Sequence, residues 1–385
     1  MKILDLFDNN FNINWEFVNK IPEIKALIGC KQNSQWHQEG DAYNHTVNVV
    51  NEMQKIVDNN DIKTKHVRML LLAAALFHDI GKPLTTYFDE NDGEYHSKNH
   101  GLEGARLTRI LFFDEPDVYF RESLIYMVRN HMDLHYIYGK SDKYKKKLIK
   151  LSFGMVPLTY MLWLNMADTY GSMSICESPE KRDVRFKIIN ELMDELHIRW
   201  TNYMEYENRL TPYKELNNLV DLDIKDVNQD KESFNVYIMC GLPGSGKSTY
   251  IKENFPNLPI ISRDVFRYEL GLTSSPDEKI IAKPDEEKRI TRLMNERIIE
   301  YCKAGKDFVI DNMNLRYTYR QAILNIALQY NAYITVIYIE APNIETCIKR
   351  RAGQIPANEY KRLLNTIDFP MPYEYDDIII SKQTS

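Results

Sequence analysis

The sequence reads Cys240-Gly241-Leu242-Pro243-Gly244-Ser245-Gly246-Lys247-Ser248-Thr249 at its most informative point, and this stretch meets every position of the pattern G-x-x-x-x-G-K-[ST]. An apolar, strand-like run of residues 235–240 precedes it, and residues 248–254 can open a helix behind it. The order of strand, glycine-rich turn and helix is the context in which this pattern binds phosphate groups. A surface loop rich in Gly and Ser rarely combines all these features, so we predict an ATP or GTP site.

The residue types of this motif explain how it would bind a nucleotide. Glycines let backbone N–H groups curl around an anion with no Cβ in the way, and the following helix adds its positive N-terminal end. We expect Lys247 to reach the β- and γ-phosphates and Ser248 to hold Mg²⁺. The full predicted phosphate-binding set is Gly241, Gly244, Ser245, Gly246, Lys247, Ser248 and Thr249.

Length and composition limit the number of domains, the cellular setting and the partners that can be expected for this chain. Its 385 residues suffice for two domains that each bury a core. The five cysteines are scattered without C-x-x-C spacing, which indicates reduced thiols and a cytoplasmic setting. No run resembles a signal peptide or a membrane span, so we expect no membrane partner. The formal net charge of −6 does not by itself favour nucleic acid as a partner.

The histidines are distributed unevenly, and this divides the chain in two. All nine lie before residue 200, whereas the glycine-rich motif lies after them. Residues 208–232 between the two regions are polar and aperiodic. We therefore predict one domain over residues 1–215, a linker over residues 216–232 and a second domain over residues 233–385.

The first domain has helical patterns, and the longest ends in an adjacent His-Asp pair. A helix rich in Leu and Ala is predicted over residues 65–77, with Gly81 and Pro83 as its stop signals. The pair His78-Asp79 is costly to bury unless it is satisfied, and a divalent transition metal would satisfy both groups. Further residues of these types occur at predicted helical positions, namely His96, His100, His131 and Asp168. Singly, each would be read as a hydrogen-bonded core residue.

The joint pattern resembles the HD phosphohydrolase superfamily. The order H…HD…D of that family is matched by His45, His78, Asp79 and Asp168, and the resemblance covers about residues 20–200. It implies an all-α domain in which these four residues hold a metal ion. Mn, Ni, Co, Fe and Zn are the candidates, because imidazole and carboxylate ligands suit them.

Some members of this family hold a second metal ion, and the resemblance implies that Asp79 bridges the two. Histidines placed like His100 and His131 hold the second ion, and Lys82 would steady the phosphate. Two cations a few ångströms apart can clamp a phosphate and lower the pKa of bound water. His96 competes with His100 for this role, but the turn-like residues before it indicate a loop or short hairpin. We therefore choose His100.

The second domain alternates strand and helix patterns, which predicts a parallel, doubly wound sheet. Strand patterns cover residues 235–240, 259–262, 308–311, 333–339 and 375–380. Helical patterns cover residues 248–254, 285–304, 315–329, 343–350 and 357–367. The chain is thus predicted to be multi-domain, with an all-α domain followed by an α/β domain.

Polar residues follow the second and third strands, where ligands bind in such sheets. Asp264 and Arg267 follow the second strand, and Asp311 and Asn314 follow the third. Together with the glycine-rich motif, these residues resemble the motifs of the P-loop 5′-hydroxyl polynucleotide kinases, and the resemblance covers about residues 234–380. The resemblance implies that Asp264 is the general base on a ribose 5′-OH and that Arg267 binds the acceptor's phosphate. It also implies that Asp311 and Asn314 lie near the metal and the acceptor. A hydroxyl nucleophile does need a carboxylate within hydrogen-bond reach.

A lid with arginines is a further feature of that family. Arg350 and Arg351 occupy its position before the helical pattern of residues 357–367. In the family the two arginines are several residues apart, whereas they are adjacent in this chain, so either could reach the phosphates.

In this order the two halves resemble the bacterial HD-domain polynucleotide kinases of RNA end healing. The resemblance implies that the first domain removes a 2′,3′-cyclic, 2′- or 3′-phosphate and that the second phosphorylates 5′-OH ends. The implied cofactors are ATP or another NTP with Mg²⁺ at the P-loop, and one or two transition-metal ions in the first domain. The implied partners are RNA or DNA ends, with RNA favoured and tRNA among the candidates, and a separate ligase acting afterwards.

Three other functions use parts of the same pattern. A nucleotidase joined to a nucleoside kinase would act on small nucleotides instead of chain ends. A regulatory P-loop would bind an NTP and control the first domain without transferring phosphate. A non-catalytic nucleic-acid-binding module would have no need of Asp264 or of six aligned metal ligands.

Overall fold

The computed structural model describes residues 1–200, 234–275 and 283–383. The chain divides into two units, Met1–Met204 and Glu205–Ser385. The linker predicted over residues 216–232 lies outside the described residues, so the domain bounds stay a prediction.

The first unit is helical, as the sequence predicts. Its helices are α1 (Trp15–Val18), α2 (Pro22–Lys25), α3 (Ala42–Asn59), α4 (Lys65–Phe77), α5 (Lys82–Thr85), α6 (His100–Leu111), α7 (Val118–Asn130), α8 (Asp142–Ser152), α9 (Leu158–Gly171) and α10 (Pro179–Glu195). The strands β1 (Thr86–Asp89) and β2 (Glu94–Ser97) form an antiparallel hairpin between α5 and α6. His96 is part of β2, so its place among the helical positions is wrong and the short hairpin indicated by the residues before it is confirmed.

Helices α3, α4 and α9 pack against one another and form the core of this unit. The second half of α4, residues 70–77, is buried on all sides because each of its side chains is apolar. Helix α3 is amphipathic and buries one face that includes Val49 and Met53. Gly171 lets the end of α9 approach α3, since a Cβ there would lie 2.9 Å from the backbone N of Val49.

The turn after α4 does more than stop that helix. Helix α4 ends at Phe77, and Pro83 is the second residue of α5, where its missing N–H costs no hydrogen bond. Gly81 lies against the start of α6, where a Cβ would overlap the carbonyl oxygen of His100 and lie 2.5 Å from the N of Gly104. This contact holds the residues that follow α4 beside those that begin α6.

The second unit is a parallel α/β sheet, which confirms the predicted fold class. Its strands are β3 (Asn235–Cys240), β4 (Ile260–Ile261), β5 (Phe308–Ile310), β6 (Tyr333–Glu340) and β7 (Asp377–Lys382). Its helices are α11 (Lys247–Asn254), α12 (Arg263–Glu269), α13 (Pro284–Lys303), α14 (Tyr317–Ala327), α15 (Ile344–Arg350) and α16 (Ala357–Leu364). The strand order is β4-β5-β3-β6-β7, with every neighbouring pair parallel.

Strand β3 lies in the middle of this sheet, so the motif that follows it lies at the centre of the carboxyl edge. Helix α11 covers the sheet through Ile251, which packs with the strand residues Met239, Val309 and Ile337. Ligand sites of doubly wound sheets lie at this edge. Across the described parts of both units, none of the helices combines the length and apolarity that crossing a bilayer requires.

Candidate active sites

The six side chains predicted to bind metal in the first unit converge in one cluster. They are His45 of α3, His78 and Asp79 after α4, His100 at the start of α6, His131 after α7, and Asp168 of α9. Five of these residues are buried, and the side chain of His100 is 12 % exposed.

One side of the cluster is built from His45, His78 and the two aspartates. The Nε2 of His45 lies 2.9 Å from Asp168 Oδ1 and 3.6 Å from Asp79 Oδ2. The Nε2 of His78 lies 3.2 Å from the same Asp79 oxygen and 3.7 Å from Asp168 Oδ1. The two histidine Nε2 atoms are 3.3 Å apart. Four potential ligand atoms thus face a common centre.

The other side of the cluster is built on the second oxygen of Asp79. The Nε2 of His100 lies 3.3 Å from Asp79 Oδ1, and the Nε2 of His131 lies 3.8 Å from it. The two Nε2 atoms are 3.0 Å apart. Asp79 therefore presents one carboxylate oxygen to each pair of histidines, which is the arrangement that a bridging ligand requires.

Backbone carbonyls set the tautomers of three of these histidines. In each case the ring Nδ1 donates to the carbonyl three residues earlier: His78 to Ala75 at 2.8 Å, His100 to Ser97 at 2.6 Å and His131 to Val128 at 2.7 Å. A neutral imidazole has a single N–H, so each of these rings has a lone pair on Nε2. A hydrogen bond of this kind is how proteins orient metal-binding histidines.

The pair His100 and His131 fits a metal ion for an additional reason. Burial, with the neighbouring histidines, lowers the pKa of His131 to about 3, and burial also lowers the pKa of His100. Both rings are therefore neutral at pH 7, and their two Nε2 lone pairs face each other at 3.0 Å. A cation shared by both lone pairs would turn this repulsive contact into two ligand bonds.

Sequence reasoning assigned no role to Glu39, which lies behind His45. Glu39 Oε1 is 2.9 Å from His45 Nδ1 and 2.8 Å from His37 Nδ1, and its Oε2 accepts from the N of Met173 at 2.9 Å. Burial opposes the charge of Glu39, but the hydrogen bonds from His37 and His45 hold its pKa well below the usual range. Burial also opposes the charge of His45, yet Asp168 and Glu39 raise the pKa of His45 to about 9.

His135 is a second residue that sequence reasoning missed. Its Nε2 lies 2.8 Å from Asp168 Oδ2, so Asp168 is held between His135 and His45. The available signal was the spacing, because His135 lies four residues after His131, about one helical turn.

The cluster opens on a cleft of about 910 Å³ that a ligand could enter. Asp79, His100 and Asp168 line it, together with Lys82. The Nζ of Lys82 lies 2.7 Å from Asp79 Oδ2 and donates to Gln32 at 2.5 Å. His96 also lines the cleft, but its Nε2 pairs with Asp92 at 2.7 Å, outside the cluster.

In the second unit the glycine-rich motif forms the turn between β3 and α11. Gly241 and Gly244 have positive φ angles of 154° and 77°. A Cβ at Gly241 would overlap the carbonyl oxygen of Ile339, and one at Gly244 would lie 2.8 Å from that of Cys347. Only glycine fits both the backbone conformation and the space. The turn ends at Gly246, and α11 begins at the next residue. Backbone N–H groups at the N-terminus of a helix can bind an anion.

The polar side chains of the motif differ in burial and in hydrogen bonding. The Nζ of Lys247 donates to the carbonyls of Gly241 and Leu242, each at 2.9 Å, and burial lowers the pKa of Lys247. The Oγ of Ser245 is buried and has no hydrogen-bond partner within the described part of the chain. Ser248 and Thr249 are exposed at the start of α11. A phosphate oxygen would supply the acceptor that Ser245 lacks.

Asp264 and Arg267 lie together on α12, which follows β4, and β5 separates β4 from β3 in the sheet order. Arg267 Nη1 donates to Asp264 Oδ1 at 2.6 Å, and Nη2 donates to Glu287 Oε1 at 2.6 Å. Glu287 of α13 also accepts from Arg263 at 2.7 Å. Glu287 is a third residue that sequence reasoning missed, since it matches no motif.

Asp311 and Asn314 follow β5 but have different surroundings. Asp311 Oδ2 lies 3.3 Å from Ser248 Oγ. The two oxygens are close enough to bind the same cation. Asn314 is 4 % exposed, and its Nδ2 donates to the carbonyl of Met239 at 2.7 Å. The amide of Asn314 therefore holds the loop against β3, which is a structural role.

The two lid arginines have separate partners. Arg350 Nη1 donates to the carbonyl of Gly244 at 3.1 Å and to Gln383 at 2.7 Å. Arg351 Nη1 donates to Gln354 at 3.0 Å, within the lid. Arg350 thus lies on the glycine-rich motif, while the choice between the two as a phosphate ligand stays a prediction.

Family comparisons match each unit separately. The HD domain family matches residues 42–152, and the AAA domain family matches residues 236–364. An HD domain implies a divalent metal, in accord with the His and Asp groups described above. A P-loop kinase-like domain implies a nucleotide and Mg²⁺.

Curated relatives match only part of the chain. The CC-adding tRNA nucleotidyltransferase of Thermus thermophilus is 32% identical over 114 residues, which are 29% of this chain and 24% of that protein. The multifunctional CCA protein of Mannheimia succiniciproducens is 27% identical over 154 residues, which are 39% of this chain and 35% of that protein. The matches therefore span about a quarter to a third of these relatives.

Solved structures are similar to part of the chain as well. A Pnkp1/Rnl/Hen1 complex has a chain with 24% identity and a TM-score of 0.29, covering 34% of this chain and 43% of that one. A gluconokinase from Sinorhizobium meliloti has 17% identity and a TM-score of 0.27, covering 39% of this chain and 84% of that one. The two family matches alone lead to the conclusion that this chain joins an N-terminal HD domain to a C-terminal P-loop kinase-like domain.

Proposed function

We propose that this protein heals broken RNA ends with two active sites, one in each unit. The HD domain hydrolyses a 2′,3′-cyclic, 2′- or 3′-phosphate, and the P-loop domain transfers the γ-phosphoryl group of ATP or another NTP to a 5′-OH. The observation that carries the proposal is the occurrence in one chain of the six-residue His/Asp cluster and of a P-loop in the same unit as the Asp264–Arg267 pair. The products, 3′-OH and 5′-phosphate ends, are those that a separate ligase would join.

In the HD domain, the donor set suits one or two transition-metal ions. His45, His78, Asp79 and Asp168 would hold one ion; His100 and His131 would hold a second, with Asp79 shared between them. Mn, Ni, Co, Fe or Zn is favoured because the ligands are imidazole nitrogens and carboxylate oxygens. Such ions, when bound, polarise phosphate oxygens and lower the pKa of water.

Lys82 would bind the phosphate of the substrate in this domain. Its ammonium group is held 2.7 Å from Asp79 Oδ2, on the cleft that the cluster lines. Glu39 and His135 would act behind the ligands, by orienting His45 through a close contact of 2.9 Å and Asp168 through a hydrogen bond of 2.8 Å.

In the P-loop domain, Asp264 would accept the proton of the attacking 5′-OH. The bond from the 5′-oxygen to the γ-phosphorus forms as the bond from that phosphorus to the β,γ-bridging oxygen breaks. Arg267 would bind the acceptor's phosphate, while Ser248 and Asp311 would hold Mg²⁺. Lys247, now donating to two backbone carbonyls, would turn to the β- and γ-phosphates.

RNA is the favoured substrate for two reasons. One of the curated relatives reported above is named as a tRNA nucleotidyltransferase, which makes tRNA a candidate source of ends. The HD cleft is also lined by the cationic side chains of Lys82, Lys98, Arg129, Arg182 and Arg185, as a polyanion requires.

The decisive experiment supplies both ends on one molecule. The protein is incubated with ATP, Mn²⁺ and an RNA that has a 5′-OH and a 2′,3′-cyclic phosphate, and both ends are then analysed. We expect the cyclic phosphate to be opened or removed and the 5′ end to become phosphorylated. Processing of free nucleosides and nucleotides without any change in the RNA would instead support the small-molecule enzyme. NTP binding without transfer would support a regulatory P-loop.

A further inference from the structure

A second cavity adjoins the metal-cluster cleft within the HD unit. Its volume is about 460 Å³, and it shares the lining residues Trp36, Tyr138, Glu177 and Arg185 with the cleft of about 910 Å³. Both volumes fall in the range of small-ligand sites, about 300–1,000 Å³. A ligand whose phosphate reaches the cluster can therefore extend over these shared residues into the second cavity.

Two aromatic side chains are exposed where the cavities meet. Trp36 is 45 % exposed and Tyr138 is 57 % exposed, although each lines both cavities. The guanidinium of Arg185 lies 6.0 Å from the centre of the Tyr138 ring, within the distance of a cation–π contact. Exposed rings beside a guanidinium form a surface on which a nucleobase of any type can stack.

Two arginines of α10 place largely buried positive charge on the lining of the cleft. Arg182 and Arg185 are 8 % and 4 % exposed, and both line the cleft. Arg182 Nη1 donates to the carbonyl of Thr169 at 3.1 Å, and Arg185 Nη2 donates to Thr169 Oγ1 at 2.9 Å. The Nε of each arginine is buried and has no hydrogen-bond partner among the residues that the structure describes. Glu177 is the nearest counter-charge, 3.5 Å from Arg185.

We propose that the second cavity is a nucleobase subsite for single-stranded RNA. The base next to the reacting end stacks on Trp36 and Tyr138, and the phosphodiester that joins it to the terminal nucleotide lies along Arg182 and Arg185. The inference rests on the proposed function of the HD domain and makes its substrate an oligonucleotide, not a mononucleotide. Because stacking uses the face common to all bases, the subsite recognises an unpaired end without reading its sequence.

The first test compares substrates by their specificity constants. For wild type and variants, kcat/KM for phosphate removal is measured on a 3′-phosphorylated mononucleotide and on a short 3′-phosphorylated RNA. Trp36→Leu should lower the ratio of RNA to mononucleotide about tenfold, the order of effect of losing one base–aromatic stack. The matched control is Trp200→Leu, since Trp200 is 60 % exposed and lines neither cavity. Misfolding would lower both constants together, so an unchanged ratio in Trp36→Leu overturns the subsite.

The second test needs neither a variant nor hydrolysis. Binding of a 5′-fluorescein-labelled RNA with a 3′-OH to the full-length protein is followed by anisotropy, and the label blocks the 5′-OH that the P-loop domain would bind. An RNA that lacks the base at the penultimate position should bind about tenfold more weakly than the complete RNA. Equal affinities would overturn the subsite. If no substrate is hydrolysed at all, the proposed HD activity fails, and this binding comparison still decides the subsite.

Discussion

At the scale of single residues, the two oxygens of Asp79 determine how the HD cluster is organised. Oδ2 faces His78 at 3.2 Å and Oδ1 faces His100 at 3.3 Å, so both halves of the cluster depend on one carboxylate. His96, four residues before His100, pairs with Asp92 on the hairpin. His96 and His100, the two alternative ligands in the sequence, therefore have different surroundings. The effect of replacing each histidine on the amount of bound metal can be measured.

We predict that His100→Ala and His131→Ala each lower the bound metal from about two ions per chain towards one. The reason is that their Nε2 atoms lie 3.0 Å apart and form the side of the cluster that Asp79 Oδ1 faces. Metal analysis of purified variants measures the count. His96→Ala is the matched control and should leave it unchanged. If His96→Ala loses the metal and His100→Ala keeps it, the ligand assignment is off by one helical turn.

At the scale of elements, the cluster depends on how the turn after α4 packs against α6. Gly81 lies in this turn, between Asp79 and α5, and its hydrogen occupies the space beside the His100 carbonyl and the Gly104 backbone. Because both neighbouring groups are backbone, neither can rotate away from an added methyl group. A side chain at this position would push the turn and the helix apart.

We therefore predict that Gly81→Ala lowers the free energy of unfolding by about 1–3 kcal/mol, the usual cost of overpacking. It should also lower the bound metal, because Asp79 and His100 would separate. Urea unfolding and metal analysis measure the two effects. Gly139→Ala is the control, since its added Cβ would lie no closer than 3.8 Å to the ring of Tyr144. A Gly81→Ala protein with wild-type stability and metal content would show that this packing does not hold the cluster.

At the scale of the whole molecule, the two sites share no residue. The HD cluster is assembled from residues of Met1–Met204 and the P-loop site from residues of Glu205–Ser385. Each unit also has its own buried core. Loss of a catalytic group in one site should therefore leave the chemistry of the other intact.

We predict that Lys247→Ala or Asp264→Ala abolishes 5′-phosphorylation while removal of the end phosphate persists, and that Asp79→Ala has the reverse effect. Loss of general acid–base assistance alone should cost on the order of 10²–10⁴ in rate. Both activities are read on the same RNA substrate by separating its products. Well-folded single variants that lose both activities equally would contradict two independent sites.

The two activities should also differ in their metal requirement. Phosphorylation should proceed with Mg²⁺, which prefers the hard oxygens of phosphates, Ser248 and Asp311, whereas the imidazole-rich cluster should prefer a transition metal. Protein stripped of metal is assayed for both activities with Mg²⁺ or Mn²⁺ alone. Full phosphate removal with Mg²⁺ as the sole metal would show that the histidines are not the ligands that matter.

Local patterns in the sequence were enough to predict the α/β fold of the second domain and the order of its elements, whereas the all-α fold of the first was implied by the family resemblance. The apolar run of residues 65–77 coincides with α4, and the strand predicted over residues 235–240 coincides with β3. The glycine-rich motif lies between β3 and α11, the strand and the helix that the sequence predicts on either side of it. Helical and strand periodicity, glycine spacing and helix ends depend on contacts within a few residues, so the sequence shows them directly.

Other features depend on residues that meet only in the folded chain. Glu39 contacts His45, His135 holds Asp168, and Glu287 pairs with Arg267, yet the sequence assigned a role to none of these partners. Asn314 follows a strand as a ligand-binding residue would, but packing turns its amide to Met239 in the sheet interior. Such contacts depend on how whole helices and strands pack, because distant segments approach only when the core forms. The motifs thus determine which reactive residues the chain contains. Tertiary packing decides which other side chains orient those residues.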